Sequence, residues 1–282
     1  MSISRDPKSI KAIAIDLDGT LLAPGAVLSE RSIKAIEKCR QRGIKFIITS
    51  GRSLESSERF RSALGVEGPM VYQNGAMIVD MPKAQVLSIV PMDDEAAEFC
   101  VDLAREMGVY CQFYISDKVD PSRTVLMAER DCPERETYFK QTRLLAVLVD
   151  LKEALRKAGP GGCVKCMYLT EPEILDKLRP RLEERLSKSV YVARTTNTFL
   201  EIMNVKVSKG KGLKFVMERN CWKAEEVIAI GDEENDLPMF EVAGFSATPA
   251  SAKDSMKAKA DMVIGSNAED GVAIFLEEFF GF

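Results

Sequence analysis

Two rhythms of apolar and polar positions alternate along this chain. Residues 10–15, Ile-Lys-Ala-Ile-Ala-Ile, form a short and nearly continuous apolar run, the pattern of a strand covered on both faces. The run stops at Asp16-Leu17-Asp18-Gly19-Thr20, where two carboxylates stand one residue apart beside a glycine and a small hydroxyl residue. Ser29 then reads as a helix N-cap, with Ile33, Ile36 and Arg40 following at helical spacing and Gly43 suited to the C′ position. A second buried run, 44–49, ends in Ser50-Gly51-Arg52. The spacing predicts a helix over 54–64, stopped by Gly65, and a third run, 70–73, ends in Asn74-Gly75. Three strands in succession, each ending in a polar loop that contains glycine, predict a doubly wound parallel sheet with a site along its carboxyl edge.

From residue 76 the rhythm changes. Residues 76–91 read as short extended pieces around the turn signal Met81-Pro82-Lys83. An amphipathic helix is predicted over 93–107, then strands over 109–115, 124–128 and 144–149, and a short helix over 151–157. Thr170-Glu171-Pro172-Glu173 reads as a capping box that opens a helix carrying Ile174, Leu178, Leu182 and Leu186, with a kink expected at Pro180. Strands follow at 190–193 and 198–203. The first rhythm then returns. Lys209-Gly210-Lys211-Gly212 opens a helix through Leu213, Val216 and Met217. Residues 227–230 are a buried strand ending in Gly231-Asp232-Glu233-Glu234-Asn235-Asp236, and short strands at 245–247 and 261–264 precede a closing helix over 270–280. The expected architecture is α/β: a doubly wound, Rossmann-like parallel-sheet core in two segments, 1–83 and 198–282, with an α+β domain inserted over 84–197.

Composition narrows the chemistry. Of 282 residues 46% are hydrophobic and 29% charged, as in an ordinary soluble globular chain, and the net charge of −4 is too mild to suggest a nucleic-acid surface. No apolar run approaches the roughly 18 residues of a membrane span, and the polar residues 1–9 do not read as a signal peptide. Seven cysteines, an odd number, fit free thiols in a reducing cytoplasm. The chain has no histidine, which excludes histidine ligands, histidine bases and Ser-His-Asp triads. Hydrolytic chemistry would have to run on carboxylates, lysine, hydroxyls, thiols or a metal.

Gly231-Asp232-x-x-Asn235-Asp236 repeats the logic of the first acidic loop on another strand of the same sheet. Taken alone, the first acidic loop reads equally as a helix-capping turn, and the second reads more readily as an acidic helix N-terminus. Taken together, Asp16, Asp18, Asp232 and Asp236 are expected to converge. Four carboxylates at one place call for a cation, and hard oxygen ligands without histidine point to Mg²⁺. Lys209 is the expected phosphate-neutralising cation, with Lys206 and Lys211 as competitors; the stretch lacks the P-loop pattern. Ser50 is placed to hydrogen-bond the same phosphate, or simply to cap the next helix. Cys163-x-x-Cys166 has no second ligand pair, so it reads as two core cysteines on opposite faces of a strand.

Together these motifs resemble the haloacid dehalogenase superfamily of phosphatases, in its Cof-type branch with a type IIB cap. Asp16-Leu17-Asp18-Gly19-Thr20 is similar to its first motif, Ser50 in Ser-Gly-Arg to its second, Lys209 to its third, and Gly231-Asp232-x-x-Asn235-Asp236 to its fourth. Asn74-Gly75-Ala76, Val207-Ser208-Lys209-Gly210 and Glu269-Asp270-Gly271-Val272 are similar to the same branch, whereas Thr248-Pro249-Ala250-Ser251 departs from the Gly-Asn-Ala it more often carries. The resemblance covers both core segments, and the inserted domain matches in position and rough pattern. It implies a Mg²⁺-dependent phosphatase acting on a small phosphorylated metabolite, with Asp16 as nucleophile and Asp18 as general acid and base. It implies Mg²⁺ held by Asp16, the Asp18 main-chain carbonyl and Asp232, with Asp236 nearby. Lys209 and Ser50 would hold the phosphate, with Gly51, Arg52 and Asn235 beside them. A phosphomannomutase-like phosphotransferase or a non-catalytic phosphate-ligand sensor would share the scaffold. The substrate and the oligomeric state are not legible at this level.

Overall fold

The computed structural model describes residues 6–282; of the polar stretch 1–9, residues 1–5 lie outside the described part. The chain opens with β1 (Ala12–Ile15), α1 (Glu30–Gln41), β2 (Lys45–Ile48), α2 (Leu54–Leu64) and β3 (Gly68–Tyr72). All four residues of β1 are buried, as their unbroken apolar pattern requires. Ser29 caps α1 by accepting a hydrogen bond from the Ser32 amide at 3.0 Å. The chain then turns into β4 (Met77–Met81) and β5 (Gln85–Ile89).

The insertion follows. It runs α3 (Asp94–Met107), β6 (Tyr110–Ser116), β7 (Thr124–Ala128), α4 (Pro133–Thr142), β8 (Val147–Leu148), α5 (Leu151–Ala158), β9 (Cys163–Leu169), α6 (Pro172–Leu186), β10 (Val190–Arg194) and β11 (Phe199–Asn204). The chain returns through α7 (Lys209–Arg219), β12 (Val227–Ile230), α8 (Leu237–Val242), β13 (Phe245–Pro249), α9 (Asp254–Lys257), β14 (Met262–Ile264) and α10 (Gly271–Phe280).

Five parallel strands make the core sheet, in the order β14-β13-β12-β1-β2. β12, from the second segment, is the central strand, and β1 is its direct neighbour with Ile15 opposite Ile230. The two acidic loops therefore leave adjacent strand ends. β3 is laid parallel beside β2, as the sequence suggested, but meets it only briefly. A single bridge, Thr49 to Val71, joins it to the β2 side. It then pairs antiparallel with β4, and β4 with β5, as a three-stranded sheet of its own. The reversal between β3 and β4 occupies only residues 73–76, with positive φ at Gln73, Asn74 and Gly75.

The inserted domain has a six-stranded sheet, β10-β11-β9-β6-β7-β8. One face is covered by α3, α5 and α6, where Cys100, Val101, Leu178 and Leu182 pack on Phe113, Tyr168, Leu200 and Ile202. The other face is turned to the carboxyl edge of the core sheet. Two strands stand near the expected limits of the 84–197 insertion, the edge strand β5 and the interior strand β11. Residues 85–89 pair with β4, and residues 199–204 pair with β9 and β10.

Other local readings change for physical reasons. Residues 144–149 contain only the two-residue edge strand β8, with Leu145, Val147 and Leu148 exposed, so the apolar run is not a core segment. α4 carries no helical apolar period, since only Tyr138 and Thr142 are buried in it, and so it left no signal in the pattern of residues. The N-cap of α6 is Glu171 rather than Thr170, and its side chain makes no capping bond; the helix runs on through Pro180. Cys163 and Cys166 share one face instead of opposing each other, because a bulge pairs Tyr114 with Lys165 but Ile115 with Cys163. All seven cysteines are free thiols.

Candidate active site

The acidic loop after β1 and the one after β12 meet at the carboxyl edge of the core sheet. Asp16 continues β1 by donating its amide to the Ile230 carbonyl at 3.0 Å, which fixes its carboxylate beside the β12 loop. Gly19 follows at φ +81°, and a Cβ there would stand 2.2 Å from Asp232 Oδ2. The close approach of the two loops therefore depends on glycine. Thr20 Oγ1 donates to Asp232 Oδ1 at 2.6 Å and orients that carboxylate.

Lys209 is the first residue of α7, whose N-cap Ser208 accepts from the Lys211 amide at 3.1 Å. The ammonium of Lys209 lies 2.6 Å from Asp16 Oδ1 and 2.6 Å from Asp236 Oδ1, and is buried with both. Asp236 Oδ2 accepts the amides of Asp232 at 2.9 Å and Glu233 at 3.1 Å. Asp236 is thus fully engaged in holding its own loop and the lysine. Lys211 instead reaches the Val205 carbonyl at the surface, and Lys206 is exposed, so Lys209 alone of the three competitors enters the site.

Carboxylate oxygens of Asp16, Asp232 and Asp236 lie within 4.8 Å of one another. Burial pushes the Asp16 carboxyl well above the usual carboxylate range; the Lys209 charge opposes this, and the neighbouring acids add to it. Burial and the Asp236 charge push Asp232 up to about 7. Burial opposes the Lys209 ammonium, yet Asp16 and Asp236 outweigh it and hold its pKa above the ordinary lysine value. One lysine does not neutralise three clustered acids, two of them buried, and the donor set is all oxygen, so the cluster fits a hard divalent cation.

Asp18 has a different neighbourhood. Its half-exposed carboxylate receives both Arg52 Nε at 2.5 Å and Arg52 Nη2 at 2.7 Å. The Asp18 side chain is thus outside the metal-fitting cluster, because the Arg52 fork takes both of its oxygens. Arg52 Nη1 is buried with no hydrogen-bond partner. Ser50 is buried at the same strand end, and its Oγ accepts the Arg52 amide at 3.2 Å. Asn235 Nδ2 donates to Asn74 Oδ1 at 2.9 Å.

These groups line the floor of a cavity of about 120 Å³, with Asp16, Asp18, Ser50, Gly51, Arg52, Lys209 and Asn235 on the core side. Asp232 and Asp236 lie behind Asp16 and Lys209. Its roof comes from the inserted domain: Tyr138 and Thr142 from α4, Met167 from β9, Thr195 and Thr196 after β10, and Phe199 and Glu201 from β11. The sequence reading missed the whole roof, and also the orienting role of Thr20 and the pairing of Arg52 with Asp18. Thr20 was in plain view in the motif, whereas the roof residues carry no local pattern. The divergent 248–251 loop does not line the cavity; Ser251 is tied through Asn267 to the Leu22 carbonyl.

A family model described as haloacid dehalogenase-like hydrolase matches residues 13–276. The pyridoxal phosphate phosphatase YbhA of Escherichia coli (strain K12) is 31% identical over 274 residues, covering 94% of this chain and 97% of that protein. The 5-amino-6-(5-phospho-D-ribitylamino)uracil phosphatase YwtE of Bacillus subtilis (strain 168) is 31% identical over 283 residues, covering 95% and 98%. In fold, the chain is similar to the HAD subclass IIB sugar phosphatase BT4131, with a TM-score of 0.82 at 20% identity over 96% of this chain and 99% of that one. With a family model matched over residues 13–276 and phosphatase relatives 31% identical along nearly their whole length, the chain belongs to the haloacid dehalogenase-like hydrolases and is a phosphoric monoester hydrolase.

Proposed function

We propose that the protein is a Mg²⁺-dependent phosphatase for a small phosphorylated metabolite, working through an aspartyl-phosphate on Asp16. The observation that carries this reading is the Asp16 carboxylate itself. It is buried at the cavity floor, paired with one lysine, and crowded by two further acids. Asp16 and Asp232 would hold the metal, with Asp236 steadying the loop and the Asp18 main-chain carbonyl as a further ligand. A bound Mg²⁺ would neutralise the acid cluster and offset charge on the phosphoryl oxygens.

Asp16 attacks phosphorus in line with the leaving oxygen, and an Asp16–phosphorus bond forms as the phosphorus–oxygen ester bond breaks. The Lys209 ammonium and the Ser50 hydroxyl hold the phosphoryl oxygens, beside Gly51, Arg52 and Asn235. Asp18 delivers a proton to the leaving oxygen, then takes one from the water that attacks the aspartyl-phosphate. For that, its pairing with Arg52 must loosen as substrate enters. Uncatalysed monoester hydrolysis is slow enough that acceleration can reach ~10²¹-fold, which positioning, charge neutralisation and a covalent intermediate must supply together. The relatives at equal identity are named for different phosphates, a pyridoxal and a ribitylaminouracil ester, so identity does not choose a substrate; we assign that choice to the roof of the cavity. Residues 92–204 form that roof, and we place the cap there.

Two measurements test the reading. Hydrolysis of p-nitrophenyl phosphate should require added Mg²⁺ and stop with EDTA. Acid-quenched enzyme should carry a phosphoryl adduct on the peptide containing Asp16. Full turnover in a rigorously metal-free preparation, or turnover with the adduct on another residue, would sink it.

A further inference from the structure

A second buried charge cluster lies above the acid site. Lys165 on β9 and Glu201 on β11 belong to the cap sheet, and both are shut away from solvent. Glu201 stands opposite Met167, so Lys165 is its diagonal neighbour on the face turned to the core. The ammonium donates to Glu201 Oε1 at 2.9 Å and rests 4.6 Å from the centroid of the Tyr114 ring. Its remaining bond leaves the cap and reaches the Gly51 carbonyl at 2.7 Å, between Ser50 and Arg52. Glu201 crosses the same boundary. Its Oε2 accepts from Asn74 Nδ2, and Asn74 Oδ1 accepts from Asn235 Nδ2.

Burying such a pair is no efficient route to stability, since desolvation cancels most of the attraction and apolar residues would serve as well. What this pair does is connect. The Gly51 carbonyl and the Arg52 amide are the two ends of one rigid peptide plane. Lys165 holds one end, and the other end donates to Ser50 Oγ at 3.2 Å. A fixed plane therefore fixes the side from which the Ser50 oxygen is occupied, which leaves its own O–H for a phosphate oxygen.

We propose that Lys165 and Glu201 are positioning residues, through which the seated cap sets the Gly51–Arg52 peptide, the Ser50 hydroxyl and the Asn74–Asn235 pair for phosphate binding. Neither residue touches the phosphate. The inference rests on the phosphatase reading of the Asp16 site.

The test compares the wild-type protein with Lys165→Met/Glu201→Leu, which removes both charges together, and with the near-isosteric Glu201→Gln. The readouts are orthovanadate affinity by calorimetry, kcat and KM for p-nitrophenyl phosphate, thermal unfolding, and amide exchange over residues 50–53 and 73–75. The double variant should unfold near the wild-type temperature, bind vanadate ~10-fold more weakly, lose ~10-fold or more in kcat, and exchange faster over 50–53, as a displaced loop predicts. Glu201→Gln should weaken vanadate binding by a smaller factor, ~3-fold, in keeping with one lost charged hydrogen bond. A folded double variant with wild-type vanadate affinity and wild-type protection over 50–53 would overturn the proposal. If the double variant does not fold, unchanged vanadate affinity in Glu201→Gln overturns it. A wild-type protein that neither binds vanadate nor hydrolyses the ester defeats the phosphatase reading instead, and exchange over 50–53 then decides the positioning claim alone.

Discussion

Lys209 shows how little separates a stable site from a strained one. A single ammonium bridges Asp16 and Asp236 while Asp232 stands beside them with no cation of its own. Lys209→Met leaves three acids facing each other, Asp16 and Asp236 buried among them. It should cost ~3–5 kcal/mol, the usual result of breaking a buried pair from one side. Thermal unfolding in EDTA should show this loss, and millimolar MgCl₂ should recover part of it where NaCl of equal ionic strength does not. Equal recovery by both salts would count against the acid cluster as a divalent site. Asp16→Asn acts in the opposite sense on the cluster, by removing one of its repelling charges. The variant should fold with a melting temperature within a few degrees of wild type and lose about 10⁴-fold or more in turnover, as for other nucleophile deletions. Near-normal turnover in that variant would refute the nucleophile assignment. At this scale the motif residues were legible because each sits at a strand end or a helix start close to glycine. The pairing of Arg52 with Asp18 was not, because the two are 34 positions apart in sequence.

The elements that the pattern specified are those whose apolar period faces a single neighbour. α6 is one: Leu178 and Leu182 are fully buried against the cap sheet. Leu178→Ala should destabilise the cap by ~2–5 kcal/mol through the lost transfer energy and the cavity left behind. A denaturant titration followed by a cap probe should show the shift, and an unchanged midpoint would mean that the cap core is looser than its burial implies. The pattern misled where a run's surroundings decide its fate. Residues 144–149 have a strand's composition but lie at a sheet edge, and β3 keeps a single parallel bridge to β2 before it reverses within four residues into a hairpin. The bulge at Val164 turned Cys163 to the same face as Cys166, and periodicity alone cannot register an extra residue.

On the scale of the whole molecule the chain crosses between core and cap twice, and the crossings touch. Asn204 Nδ2 donates to the Pro91 carbonyl at 2.8 Å, so the two ends of the cap are neighbours. A short glycine-containing linker in place of residues 92–204 should therefore close without distorting the core sheet. That protein should stay folded, bind divalent metal, and hydrolyse a small activated phosphate weakly, because the acid cluster is intact but the roof and the Lys165 contact are gone. A panel of natural phosphomonoesters run on both proteins checks the division of labour. If the capless protein keeps the full-length ranking of substrates, specificity belongs to the core. Opening and closing of so large a lid is a means of excluding water during phosphoryl transfer.

The sequence by itself determined the core. Short apolar runs that end in Asp-x-Asp-Gly-Thr, Ser-Gly-Arg and Gly-Asp-x-x-Asn-Asp define buried parallel strands with their polar groups at one edge. That information is local, because a strand covered on both faces leaves nowhere else for charge to go. The absence of histidine narrowed the chemistry further without any coordinates. Only the tertiary structure decided the roof of the cavity, the pairing of Arg52 with Asp18, and the bridge from Lys165 to Gly51. These contacts join residues 34 and 114 positions apart. They depend on how the cap sheet is laid against the core, and a hydrophobic period records that a face is buried without recording what it is buried against.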